Sequence, residues 1–281
     1  MTTRRGALRW LGAALAIAGV AFVLRAGWGL RGDIGAMAAD RGLLVAVVLG
    51  AIAYAAALGL LALGWAGLAR AGDARPPRRD LVHIFAAASI AKYLPGNVFH
   101  FAGRQLLASK LGVSQRRLAA ATLAESVATL LAALALAAIA IVAARHPLLG
   151  PTLLAGLAVA IAVGHRRPVT TMLGLALAFF LVSVAIVAAM AHLLNVRIEL
   201  MLPILAAYLF AWAAGNVLPG APGGLGVREA AFVSLADSFA LTDAAVALTL
   251  VVAMRLVTLA GDVLFFFVGG SAGAITTTDL S

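Results

Sequence analysis

Seven ionisable side chains stand inside segments otherwise built of Ala, Leu, Val and Gly: Lys92, Arg104, Glu125, Arg228, Glu229, Arg255 and Asp262. Charge is costly in such surroundings, and where it is kept it faces a protein interior or a wet cavity. Four cations against three anions leave one positive charge over, which an anionic ligand would balance. An arginine fork matches the paired oxygens of a phosphate or carboxylate. The chemistry suggested is anion binding by Lys92, Arg104, Arg228 and Arg255, with Glu125, Glu229 and Asp262 orienting the arginines or accepting a cationic substituent. The plainer alternative is packing, with Arg104 paired to Glu125 and Arg255 to Glu229 or Asp262.

Other chemistries find less support. No nucleophile and base stand at a recognisable spacing and the acids do not cluster, so an enzyme is not expected. His83, His146, His165 and His192 are scattered without ligand spacing, and cysteine is absent, so neither a metal site nor a disulfide framework is expected. The Gly-rich "PGAPGGLG" (219–226) lacks the Gly-Lys-Ser/Thr ending of a phosphate loop and the dinucleotide fingerprint. No cofactor is implied. The net charge of +10 sits in short clusters between apolar runs, where orientation in a membrane is the usual cause, so nucleic acid is not expected as a partner.

The elements that must carry these residues follow from composition. With 64% apolar and 11% charged residues and a mean hydropathy of +1.07, the chain reads as an all-α polytopic membrane protein. None of the apolar runs has the ten-residue alternation of an outer-membrane barrel. Six spanning helices are expected at about 8–28, 43–69, 118–144, 147–163, 169–193 and 244–270. The first of these, after a basic start, exceeds a signal-peptide core and lacks a cleavage site, so a retained helix is expected. Trp10, Trp28 and Trp65 near helix ends read as interfacial anchors.

Two stretches, 81–111 and 200–238, each consist of an apolar half, a Pro-Gly break and a second half. A half of about 13 residues reaches only about 20 Å, too short to cross alone. Charge favours re-entrant hairpins. With the N-terminus (Arg4, Arg5, Arg9) cytoplasmic, the basic loop 70–80, the group Lys110, Arg116 and Arg117, and "GHRRP" at 164–168 all fall on that side only if 81–111 enters and returns. The second hairpin then enters from the opposite face. Each half, about 1–145 and 146–281, reads helix, helix, hairpin, helix in opposite orientation, an inverted repeat within a single transmembrane domain.

A gapless offset of 124 residues supports the repeat, laying Leu94, Pro95, Gly96 and Arg104 on Leu218, Pro219, Gly220 and Arg228. The breaks, Pro95 and Gly96 in one hairpin and Pro219, Gly220, Pro222, Gly223 and Gly224 in the other, leave terminal backbone groups unpaired. Such groups survive at membrane depth only inside protein or along a wet cavity. The returning half-helices present N–H groups and a partial positive charge, with Arg104 and Arg228 expected at their starts. Asn97, Asn216 and His100 are candidates to hydrogen bond a headgroup. A lone His at a break is more often a satisfied polar group, and Tyr208 and Trp212 in the second hairpin could line a cavity but are more often core. Arg255 and Asp262, two turns apart on one helix face, can each meet a hairpin.

At this point "KYLPGNVFHFAGR" (92–104), the following helix with Glu125, and "PGGLGVREAA" (222–231) resemble the lysylphosphatidylglycerol synthase transmembrane-region family of flippase-like proteins. The resemblance covers roughly 10–270. It implies a bacterial plasma-membrane protein whose relatives move an aminoacylated phospholipid between leaflets. In those relatives the region is fused to a soluble synthase domain; here the chain ends at Ser281 after a short polar tail, so lysyl transfer is not carried over. Short relatives are associated with glycosyltransferase and other lipid pathways. The expectation is therefore a flippase-like transporter with a midplane site for an anionic phospholipid or polyprenyl-phosphate-type lipid. The alternative is a non-transporting accessory subunit of a glycosyltransferase or lipid-modifying enzyme.

Overall fold

A computed structural model of the chain describes residues 40–72, 74–94, 98–217 and 222–271. The expected first helix at 8–28, with Trp10 and Trp28, and the break residues Pro95, Gly96, Asn97, Pro219 and Gly220 lie outside the described residues. Nine α-helices occur among the described residues: α1 (Arg41–Ala69), α2 (Arg78–Ser89), α3 (Phe99–Ser109), α4 (Gln115–Arg145), α5 (Leu149–Gly164), α6 (Pro168–Leu193), α7 (Ile198–Val217), α8 (Val227–Ser238) and α9 (Ala244–Ser271). Short 3₁₀ turns, Ile90–Tyr93 and Pro222–Gly224, follow α2 and precede α8.

Local chemistry sets several boundaries. The Asp40 carboxylate accepts the Leu43 N–H at 3.1 Å and caps α1, Ser114 caps α4 through the Arg117 N–H at 3.4 Å, and Pro168 opens α6 without forfeiting a helical hydrogen bond. The helices then meet through small residues. Gly64 faces the Met172 sulfur, and a methyl group on Gly261 would stand 2.9 Å from the Ala51 carbonyl, so close crossings depend on having no side chain there.

The chain is an all-α polytopic membrane protein. Among the described residues five helices, α1, α4, α6, α7 and α9, are long and apolar enough to span. Two differ from the sequence expectation. The helix expected at 147–163 forms as α5, whose 16 residues reach only about 24 Å. The first arm of the second hairpin, α7, continues unbroken through Pro203 for 20 residues, about 30 Å, rather than stopping as a short half. Its length comes from the apolar run at 200–214.

Packing has an internal two-fold pattern. Exchanging α1 with α6, α2 with α7, α3 with α8 and α4 with α9 maps the major helix contacts onto one another: α9 packs on α1 as α4 does on α6, α2 on α9 as α7 on α4, and α3 on α2 and α4 as α8 on α7 and α9. The pair α1 and α6 maps onto itself and runs antiparallel, with Gly42 facing Leu193, Gly50 facing Ile186 and Gly64 facing Met172. Two equivalent spanning helices that run antiparallel are related by an axis in the membrane plane, which makes the repeat inverted.

The hairpin directions follow. Arg117 Nε donates to the Leu68 carbonyl at 3.1 Å, bringing the start of α4 to the end of α1, and Met172 brings the start of α6 to the same face. The basic loops at 70–77, 110–114 and 165–167 therefore share one face, and α2 and α3 enter from it and return. α7 and α8 enter from the other. Trp65 is not an interfacial anchor: it is fully buried, donates to Thr122 Oγ1 at 3.3 Å and meets the Phe85 ring at a tilt, because its side of α1 is covered by α2 and α4.

Candidate functional site

The two hairpins meet in the middle of the bundle, where the 3₁₀ turn after α2 packs on the one before α8 and Tyr93 lies against Gly223. Gly223 and Gly224 have φ of +58° and +73°, backbone open chiefly to glycine. Around this junction is a cavity of about 240 Å³ lined by six of the seven charged residues, Lys92, Arg104, Glu125, Arg228, Arg255 and Asp262, together with His100 and Asn216. Glu229 stands beside it, on a smaller adjoining pocket.

Three closed pairs take up most of this charge. Arg104 Nη1 donates to Glu125 Oε2 at 2.6 Å, both side chains buried, and the guanidinium lies 4.3 Å from the Phe85 ring centroid and 5.2 Å from that of Phe101. Lys92 Nζ donates to Asp262 Oδ1 at 2.7 Å and the Tyr93 hydroxyl donates to Oδ2 at 2.5 Å. Arg255 Nε donates to Glu229 Oε1 at 2.6 Å, while its Nη1 reaches the Gly223 carbonyl at 3.5 Å. Asp262 thus holds the first hairpin and Arg255 the second, so the two residues spaced along one face of α9 do meet one hairpin each.

Arg228 is the cation left over. Among the described residues it has no carboxylate partner, its Nε is buried without a hydrogen bond, and its guanidinium rests 5.3 Å from the Trp212 ring centroid. Its stem lies against Gly215, and a methyl group on Gly224 would stand 2.6 Å from Nε. The nearby carboxylates are taken by the other cations, Glu125 by Arg104, Asp262 by Lys92 and Glu229 by Arg255, which leaves none for Arg228 among the described residues. The surplus positive charge counted from sequence is therefore localised on one residue.

Arg104 and Arg228 also differ in helix position. Arg228 is the second residue of α8, at its N-terminus as expected, whereas α3 begins at Phe99 and Arg104 stands more than a turn into it. Arg104 is thus not placed at the N-terminal amides of its half-helix. His100 lines the cavity with Nδ1 buried and unpartnered, and Asn216 is exposed on its wall. Trp212 joins the site rather than serving only as core. Sequence reasoning passed over Tyr54 and Tyr93. The chain has three tyrosines; Tyr54 and Tyr93 line this cavity and Tyr208 the smaller pocket, so rarity of a polar aromatic in an apolar chain was the available signal.

Chemically, the arrangement is a polar, cation-rich chamber at the junction of two broken elements, with three internally balanced pairs and one open guanidinium beside a helix N-terminus. It suits binding of one anionic group. No family model matches the chain, and no curated protein or solved structure matches it, so the likeness to the flippase-like family rests on the two motifs alone.

Proposed function

We propose that the protein is a lipid transporter of the bacterial plasma membrane that binds the anionic headgroup of a phospholipid or polyprenyl-phosphate-type lipid in the central cavity and passes it between leaflets. The observation that carries the reading is Arg228, a cation open to the cavity at membrane depth without a protein counter-charge among the described residues. The inverted pair of hairpins supports alternate access to this cavity from either face. The face bearing the basic loops is taken as cytoplasmic, by the bias of Lys and Arg toward that side. The lipid gradient, the membrane potential or a coupled ion would drive movement.

The test is mass spectrometry of lipids retained by the gently purified protein, wild type against Arg228→Gln. Enrichment of an anionic lipid over the bulk membrane, lost in the variant, supports the reading and names a substrate for transport assays in vesicles. Bulk lipid only, unchanged in a variant that still folds, overturns it. That result moves the reading to an accessory subunit of a glycosyltransferase or lipid-modifying enzyme, whose arginines serve folding and partner contact.

A further inference from the structure

A second, smaller pocket of about 50 Å³ adjoins the cavity between α6, α7, α8 and α9, and its wall away from the charges is formed by Val187, Tyr208, Phe232, Leu250, Val251 and Met254. Trp212, Arg228, Arg255 and Thr258 line both spaces, and since Arg255 is paired with Glu229 the groove begins where the open guanidinium is. Its depth fits the bilayer: Leu250 and Thr258 stand about 9 and 21 Å along α9 from its start at Ala244, within a hydrocarbon layer of about 30 Å.

The first repeat supplies an internal comparison. There the equivalent arginine, Arg104, is enclosed by Trp65, Phe85 and Phe101. Arg228 instead has the Trp212 ring centroid at 5.3 Å and borders a pocket walled by Tyr208, Phe232 and Met254. Of the two matched arginines, Arg228 borders the smaller apolar pocket and Arg104 does not.

We infer that this groove holds the first methylenes of one acyl chain of a membrane lipid whose phosphate lies on Arg228, making the space between α7 and α9 the lateral passage from bilayer to cavity. The inference rests on the proposed lipid reading and adds where the chain goes. Apolar burial along the groove and charge pairing at its inner end act on the same ligand, which neither a free phosphate nor a detached hydrocarbon could satisfy together. A helix from a second copy is the competing occupant.

The experiment uses the full chain in nanodiscs of phosphatidylcholine with phosphatidylglycerol carrying a photoactivatable diazirine on the acyl chain near the glycerol. Adducts are mapped by peptide mass spectrometry in wild type, Arg228→Gln and Val251→Trp, and lipid retention is measured in parallel. In wild type, adducts fall on 208–212 and 250–254. In both variants they drop about tenfold, equivalent to about 1.4 kcal/mol. Adducts on the exposed α5 residues Leu153 and Val159 serve as the annular control and stay constant.

If wild type gives no groove adducts while Arg228→Gln still loses the retained anionic lipid, the passage is overturned and the lipid reading stands. Groove adducts and retention that are both unchanged in Arg228→Gln mark annular lipid and overturn both. Protein-to-protein adducts from the groove in place of lipid adducts assign it to a second copy and overturn the passage. The comparison of wild type with Arg228→Gln decides the question even if Val251→Trp does not fold.

Discussion

The two matched arginines have opposite roles. Arg104 is closed by Glu125 and three aromatic rings, and removing the cation leaves a carboxylate buried without a partner. Arg104→Ala should cost about 3–5 kcal/mol and lower the unfolding temperature of the purified protein sharply. Arg228 has no such dependent, so Arg228→Ala should change stability by about 1 kcal/mol or less while abolishing retention of anionic lipid. Thermal unfolding alongside lipid mass spectrometry checks both. Equal destabilisation by the two substitutions would make Arg228 a structural residue as well.

At the level of elements, α9 is a strap. Asp262 is fully buried and ties Lys92 and Tyr93 of the first hairpin, while Arg255 ties Glu229 and Gly223 of the second. Asp262→Asn removes the counter-charge to Lys92, so hydrogen exchange at Ile90–Leu94 should accelerate while α8 is unaffected. Uniform acceleration across the protein would mean global loss of stability rather than release of one latch. The slot that holds Arg228 depends on glycine: Gly224→Ala adds strain of about 1–2 kcal/mol at a positive φ and pushes on the guanidinium. It should lose anionic-lipid retention as Arg228→Gln does, although the cation is still present; full retention would show that the slot does not set the arginine's position.

For the whole molecule, the packing places both ends of the α2–α3 hairpin at one face and both ends of α7–α8 at the other. With no native cysteine to remove, single cysteines test this directly. Arg75→Cys and Lys110→Cys should react with an impermeant thiol reagent from the same side of the membrane, and Arg197→Cys and Phe239→Cys from the opposite side. Opposite labelling at positions 75 and 110 would make α2–α3 a single crossing and break the repeat. Membrane class, the approximate helices, the two hairpins and the offset of 124 were all legible in the amino-acid sequence, because hydrophobic length, Pro-Gly breaks and the placement of Lys and Arg act through local chemistry and the bilayer. So was the surplus of one positive charge, since counting needs no coordinates. Which cation remains open was decided only when the helices met: Arg104 and Arg228 share a motif, but Arg104 meets Glu125 of α4, whereas Glu229 and Asp262 are taken by Arg255 and Lys92. The burial of Trp65, the bond from Tyr93 to Asp262 and the groove beside Arg228 likewise come from helices brought together across long separations, where side-chain volume and partner geometry, rather than the periodicity of any one segment, determine what is filled and what stays open.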